Sequence, residues 1–218
     1  MKGDSATGET SGPLLDEFRF DSPDALDSHG CLIPGLFAKL GPAAGRDLLD
    51  LGCGNGALTR TLASAGFRTV GADASVSGIA MARRAHPDLD WEAQDINEAL
   101  APRLRGNFDV VLAVEVIEHL FLPRRLFGRA AEALRPGGRL VLSTPYHGYL
   151  KNLAIAALNQ SDKHWTVGWD HGHIKFFSRN TLTAMALDQG FRPVDWGFVG
   201  RSRPLSKSMI MVAVPVSS

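Results

Sequence analysis

"LLDLGCGNGALTR", Leu48 to Arg60, begins as an apolar run and ends as the opening of a helix, with Asp50 and three alternating glycines, Gly52, Gly54 and Gly56, between them. A strand that runs through bare backbone straight into a helix lets a ligand approach main-chain atoms closely. Such loops usually cradle phosphate, because the amides at a helix N-terminus favour anions. Here the spacing is Gly-x-Gly-x-Gly, not Gly-x-Gly-x-x-Gly, and no Gly-Lys-Ser/Thr follows. Asp50 would repel a pyrophosphate and attract a cation. The loop therefore calls for a phosphate-free ligand with positive charge nearby.

Working outward, short apolar runs alternate with helical patterns. "RDLLDL" reads as strand one, "GALTRTLASAG" as a helix stopped by Gly66, and "FRTVGAD" as strand two. "SVSGIAMARRA" follows as a helix with Ser75 as N-cap. "LDWEAQD" is a short third strand and "FDVVLAVEV" a fourth. "LPRRLFGRAAEALRPGG" predicts a helix ending at Pro136-Gly137, before "RLVLSTP" as strand five. Near-continuous apolar strands separated by helices indicate an open, doubly wound α/β fold with a parallel sheet covered on both faces. "SRNTLTAMALDQG" is a further helix with Ser178 at its N-cap, and "FRPVDWGFVG" and "KSMIMVAVPV" are joined only by "RSRPLS". That link is too short for a crossover helix, so the last two strands are expected to be antiparallel neighbours.

Sheets of this class bind ligands at the carboxyl ends of their strands. Asp73 closes strand two, about 20 residues past the first loop glycine, where a carboxylate suits a ribose diol. Asp95 closes strand three and can accept from an exocyclic adenine amine. An adenosine with a cationic, phosphate-free tail satisfies all three acids, and S-adenosylmethionine is such a molecule.

"DLLDLGCGNG", "VGAD", "QDI", "FDVVLAVEVIEHL" and "LRPGGRLVLSTP" resemble, in order, the motifs of class I S-adenosylmethionine-dependent methyltransferases, from about Asp47 to Pro145. The resemblance implies a Rossmann-like sheet of seven strands in the order 3-2-1-4-5-7-6, with strand 7 antiparallel. Carried over by position, it implies that Gly52, Gly54 and Gly56 let the backbone meet the methionyl part of the cofactor. Asp50 would lie near its ammonium, directly or through water. Asp73, with Ala74 beside it, would hold the ribose, Asp95 and Ile96 would frame the adenine, and Val114 would offer main-chain contact. "EVIEHL" and "HIKFFSRNTLTAMALDQGF" are similar to the ubiquinone-biosynthesis O-methyltransferases within that family. Those enzymes often carry a cofactor-binding arginine on the N-terminal helix. "SHGCLIPGLFAKL" has none, and His29 or a backbone amide is expected in its place.

Methyl transfer from a sulfonium is an in-line displacement, so the protein must align the acceptor, exclude water and, for a hydroxyl, take a proton. The insert 146–177 combines Tyr146, Tyr149, Trp165 and Trp169 with His147, His164, His171 and His173. Aromatic walls with a few polar groups suit a small organic acceptor. Tyr146, His147, Trp165 and Trp169 are the expected pocket, His171 or His173 the expected base, and "YLKNLAIAALN" a helix over its mouth. Asp170, His171 and His173 have metal-ligand residue types but no specific spacing, and no metal is expected. His119 is expected to pack at a helix start, and Glu115 either lines the pocket or faces water.

The chain has 218 residues, room for one core, with 23 Lys and Arg against 23 Asp and Glu. That balance favours neither nucleic acid nor an anionic membrane. Cys31 and Cys53 lack disulfide or zinc spacing and read as reduced thiols of a cytoplasmic protein. Residues 1–14 read as a disordered tail and 15–218 as a single domain, with no membrane-length apolar run. A nicotinamide dehydrogenase is disfavoured by the glycine spacing and by the lack of a Tyr-x-x-x-Lys pair, since Leu150 follows Tyr146 at that distance. Strand four ends in "AVEV", not the Asn/Asp-Pro-Pro-Tyr/Phe of DNA-base or protein-glutamine methylation. A methyltransferase-like module that binds or scaffolds without turnover, and N- or C-methylation, remain the alternatives to O-methylation of a small molecule.

Overall fold

The computed structural model describes residues 29–165, 172–202 and 204–216. Seven strands form one sheet in the order β3-β2-β1-β4-β5-β7-β6. They are β1 (Asp47–Leu51), β2 (Arg68–Asp73), β3 (Asp90–Ala93), β4 (Phe108–Val114), β5 (Leu134–Pro145), β6 (Phe191–Val199) and β7 (Ser208–Pro215). The β3-β2-β1-β4-β5 part is parallel, and β7 runs antiparallel to both β5 and β6. Order and strand direction are those expected from the sequence.

Period-2 alternation divides the apolar residues between two faces. Leu49, Leu51, Val111, Ala113, Leu140, Leu142, Met209 and Met211 pack to one side, with Leu126, Phe127 and Ala130 of α4 (Arg124–Ala133) and Leu182 and Ala186 of α7 (Arg179–Asp188). Leu48, Val110, Leu112, Val141, Ile210 and Val212 face the other, against Leu32, Leu36 and Leu40 of α1 (His29–Leu40) and Leu58 and Leu62 of α2 (Ala57–Ser64). Burial on both faces is why these strands read as continuous apolar runs. A third cluster, Cys53, Ile79, Ala82 and Trp91, seats α3 (Val76–Ala85) beside β3.

Two caps stand where expected. Ser75 Oγ accepts the Gly78 amide at 3.0 Å, and Ser178 and Thr181 form a reciprocal capping box at the start of α7. One boundary differs. The helix before strand five stops at Ala133, and β5 already begins at Leu134, so Pro136 and Gly137 lie in the strand. Leu134 pairs with Phe108, a bulge follows, and pairing resumes at Val110 with Arg139. Proline and glycine are tolerated in a strand at such an irregularity, and burying Leu134 draws the backbone out of the helix early.

Of the insert, α5 (Tyr149–Ala157) covers most of "YLKNLAIAALN", and a short α6 (Ser161–Trp165) follows. Trp169, Asp170 and His171, like the N-terminal segment, lie outside the described residues. No helix among the described residues is long and apolar enough to cross a membrane.

Candidate active site

The loop after β1 has the shape its glycines promised. Gly52 and Gly56 adopt φ of +89° and +83°. A Cβ at Gly52 would lie 2.4 Å from Val116 Cγ2, and one at Gly56 would lie 2.5 Å from the Trp91 ring. No other residue fits either place without moving its neighbours. Asp73, at the end of β2, closes the loop from the side: its Oδ2 accepts the Gly54 amide at 2.8 Å, and its Oδ1 the Ser75 amide at 2.7 Å. A carboxylate can accept about four hydrogen bonds, so these two contacts are compatible with a ribose diol as a further partner.

Asp50 lies beneath the loop and is 1% exposed. Its Oδ2 accepts from Thr59 Oγ1 at 2.6 Å. Burial pushes its pKa up to about 7, with the nearby Asp73 charge adding to the rise and the Thr59 hydroxyl opposing it. Thr59 was not singled out from the sequence, although it sits on the first turn of the helix that the glycine loop opens. Burial also pushes the Cys53 thiol up, the opposite of what a nucleophilic cysteine needs.

Asp95 is exposed and turned onto its own loop, accepting the Asn97 amide at 2.7 Å. Ile96 is buried in the main core, so its side chain serves packing. Val114, the last residue of β4, is half-buried. His29 opens α1, and its side chain lies outside what the structure describes.

Beyond Val114 the chain takes an unusual turn. Glu115 has φ of +54°, a costly conformation for a residue with a side chain. Ser143 Oγ donates to its carboxylate at 2.8 Å, and Ser208 Oγ does so at 3.4 Å. Burial pushes Glu115 up to about 7 against these hydroxyls and the Lys151 charge. A 3-10 turn, Ile117–His119, follows. Glu118 on that turn is fully buried and accepts from Thr144 Oγ1 at 2.9 Å.

The extended segment that returns from the insert is tied to this turn, since the Ile174 and Lys175 amides both donate to the Glu118 carbonyl at 3.0 Å. His173 thereby lies with its ring 4.9 Å from that of His119 and its Nε2 4.0 Å from Glu118 Oε1. His119 does not sit at a helix start as expected: it ends the 3-10 turn and is exposed, and the next helix, α4, begins only at Arg124. Glu118, His119 and His173 each bring one donor atom within 4.8 Å of the others, a set that would suit a divalent cation or a proton relay. Glu118 was not singled out in the sequence, because nothing local shows that the turn after β4 buries it.

The pocket residues of the insert separate into two groups. His147 is buried, donates its amide to the Phe177 carbonyl at 2.9 Å, and meets the rings of Phe176 and His164 edge-on. Burial and the Lys151 charge push its pKa down to about 4. Trp165 packs against Phe176 at the same cluster. Tyr146 turns the other way, edge-on to Phe198, and lines a cavity of about 210 Å³ with Arg179, Phe198 and Pro204. Lys151 joins the two groups: its Nζ donates to the Tyr146 and Lys207 carbonyls at 2.7 and 3.2 Å. Burial lowers its pKa to about 8.

Comparison with known proteins gives this geometry a family. Residues 29–195 match the family model described as a methyltransferase domain. A ubiquinone biosynthesis O-methyltransferase of Bradyrhizobium sp. is 36% identical over 150 residues, 66% of this chain and 58% of its own length. The enzyme of the same name from Cereibacter sphaeroides is 30% identical over 190 residues, 79% of this chain and 75% of its own length. This chain thus spans little more than half of the first and three quarters of the second. The magnesium protoporphyrin IX methyltransferase of Synechocystis, solved with bound S-adenosylhomocysteine, superimposes with a TM-score of 0.62 at 20% identity, covering 84% of this chain and 80% of that one. A Pyrococcus horikoshii protein gives a TM-score of 0.67 at 18% identity, covering 86% and 89%. The methyltransferase model covers more than half of the sequence, and the chain belongs to the class I S-adenosylmethionine-dependent methyltransferases.

Proposed function

We propose that this enzyme methylates a hydroxyl group of a small organic acceptor and that His173 takes the hydroxyl proton. The observation that carries the reading is the placement of His173 against the turn after β4, at the carboxyl edge of the sheet and beside the glycine loop that leaves β1, where Val116 of that turn abuts Gly52. The O-methyltransferase names of the relatives support oxygen as the acceptor atom. The bound cofactor supplies an activated methyl group. The chain's own residues hold the nucleoside, align the acceptor, shield it from water and remove one proton.

In this reading Gly52, Gly54, Gly56 and Val114 meet the methionyl part through main-chain atoms. Asp73 and Ala74 hold the ribose, and Asp95 and the Ile96 backbone frame the adenine. His29 stands near the carboxylate. Asp50 acts on the ammonium through the loop and Thr59. His147, Trp165 and Trp169 wall the acceptor, Tyr146 borders the separate cavity beside Phe198, and His171 is a second candidate base. The insert 146–177 serves as its lid, and the exposed Tyr149, Leu150 and Leu153 of α5 support that role. We place the enzyme in the cytoplasm, acting on small molecules and not on nucleic acid, in keeping with its balanced charge and its two thiols.

Calorimetric titration tests the cofactor half: S-adenosylhomocysteine should bind and NAD should not. Incubation with S-adenosylmethionine and a panel of catechols, phenols, amines and activated carbon acids tests the rest. Methyl ethers, identified by mass spectrometry, are the expected products, and exclusive N- or C-methylation would refute the choice of oxygen.

Asp50 adds a pH dependence. Its pKa in the ligand-free protein is about 7, and a neighbouring ammonium favours the ionised form. Binding then releases a proton below neutrality, so affinity rises with pH, by up to about tenfold per unit, and levels off above 7. In Asp50→Asn the slope between pH 5.5 and 7 should vanish. An unchanged slope would separate Asp50 from the ammonium.

A further inference from the structure

The first helix of the insert is turned inside out. Tyr149, Leu150 and Leu153 of α5 are exposed, and none of its side chains joins the three apolar clusters of the core. Its one buried residue is Lys151, 9% exposed. A surface helix ordinarily buries its apolar stripe, and lysine is almost never buried unless paired. Here the partners are main-chain carbonyls. Lys151 Nζ donates to that of Tyr146 at 2.7 Å and to that of Lys207 at 3.2 Å. The Lys207 carbonyl also accepts the Tyr146 amide at 2.9 Å, so the ammonium sits where the chain leaves β5 and enters β7. Burial lowers its pKa only to about 8, which leaves it charged at neutral pH. Asn152 Oδ1 lies 3.4 Å from His147 Nδ1, a long contact within the same segment. Gly148 stands immediately before the helix. A Cβ there would lie 2.1 Å from Tyr146 Oη, so only glycine lets the Tyr146 ring, edge-on to Phe198 at 5.3 Å, fold over this joint.

We propose that Lys151 is a positioning residue, the latch that holds α5 as a lid over the acceptor by its grip on the Tyr146 and Lys207 carbonyls. This rests on the reading of 146–177 as the lid. A helix without apolar anchorage belongs to the low-stability elements from which active-site lids are drawn. Hydrogen bonds from a charged donor are roughly twice as strong as neutral ones, so a single ammonium can stand in for the missing apolar contact. The same charge keeps the open lid accessible. When α5 swings about Gly148, water takes up the ammonium and the Tyr146 carbonyl, while the Lys207 carbonyl keeps the Tyr146 amide. An apolar side chain at this place would remove a donor from the Tyr146 carbonyl in the closed state and expose its own surface in the open one. Weakening the latch lowers the closed fraction, which raises the apparent dissociation constant of the acceptor in proportion. Saturating acceptor closes the lid again, so the chemical step itself is little changed.

The test is Lys151→Met in the full chain, with Lys151→Arg beside it. Amide hydrogen exchange over 149–157, followed by mass spectrometry on the ligand-free protein, should quicken about tenfold in Lys151→Met, as the loss of charge-assisted hydrogen bonds implies. Exchange in β5 and β7 should not change. The KM of the phenol or catechol that the panel shows to be methylated should rise by about the same factor, with kcat within about threefold and S-adenosylhomocysteine affinity within about twofold. Lys151→Arg keeps a cation with several donors and should recover part of both effects. Unchanged exchange over 149–157 in Lys151→Met would remove the latch and leave the lid reading standing. Faster exchange there with an unchanged KM would mean that α5 is fastened by Lys151 but covers no acceptor, and both the lid reading and the latch would fall. Exchange that quickens equally in β5 and β7, with a lower melting temperature, would reduce Lys151 to a strut of the fold. A fall in kcat without a rise in KM would move it into the chemistry, and either of these last results would overturn the proposal.

Discussion

His173→Ala should lower kcat by about 100-fold, the lower end of what a positioned general base supplies, and leave S-adenosylhomocysteine affinity within twofold. The imidazole lies on the segment leaving the insert, whereas the proposed cofactor contacts other than His29 come from the strand ends and loops after β1 to β4. Burial, with the His119 and His164 charges, pushes its pKa down to about 4, so at neutral pH it is already in the proton-accepting form. Acceptor acidity offers an internal control. A nitro-substituted phenol, ionised before it binds, has no proton to give, and the same variant should methylate it at close to the parent rate. His171→Ala, measured in parallel, assigns the base between the two histidines of that short segment. Equal loss on acidic and ordinary phenols would mean that His173 shapes the pocket and takes no proton, and undiminished turnover would refute the role outright.

Asp73→Ala should weaken S-adenosylhomocysteine binding by about 100-fold or more. Two hydrogen bonds from ribose hydroxyls to a carboxylate contribute roughly 1.5–3 kcal/mol each, and each 1.4 kcal/mol is tenfold in affinity. The change also removes the acceptor for the Gly54 and Ser75 amides, so the loop loses the strut that holds its middle glycine. Asp73→Asn retains one acceptor oxygen and the side-chain volume, and should fall between the variant and the parent. Titration calorimetry gives the affinities. Thermal unfolding of the ligand-free variants separates lost ribose contacts from a slackened loop, because only the latter lowers the melting temperature without ligand. Affinity within threefold of the parent would remove Asp73 from the ribose site.

Much of this was legible in the linear chain. The alternation Gly52, Gly54, Gly56 after an apolar run, with acids at two strand ends, indicated a cationic nucleoside, because local backbone sterics and charge sign need no tertiary context. The short link "RSRPLS" required antiparallel pairing of the last strands for a similar reason, since a crossover needs more chain. Even Ser75 and Ser178 could be assigned as caps from their neighbours alone. The helix boundary at Ala133 was hidden because it depends on Leu134 finding Phe108 across the sheet, a contact that leaves no mark in the local sequence.

The acceptor side was legible only as composition: histidines and aromatics crowded into the insert. Local order could nominate His171 and His173 but could not bring Glu118, some 55 positions earlier, to within 4.0 Å of one of them, nor place Thr144 to hold its other oxygen. The sequence by itself determined the strands, the antiparallel pairing of the last two and the class of cofactor, because these follow from short-range sterics, hydrophobic periodicity and the sign of nearby charges; the strand order was what the family resemblance implied. Only the tertiary structure decided which buried carboxylate faces which imidazole, because burial and long-range proximity are properties of the packed chain and not of any segment of it.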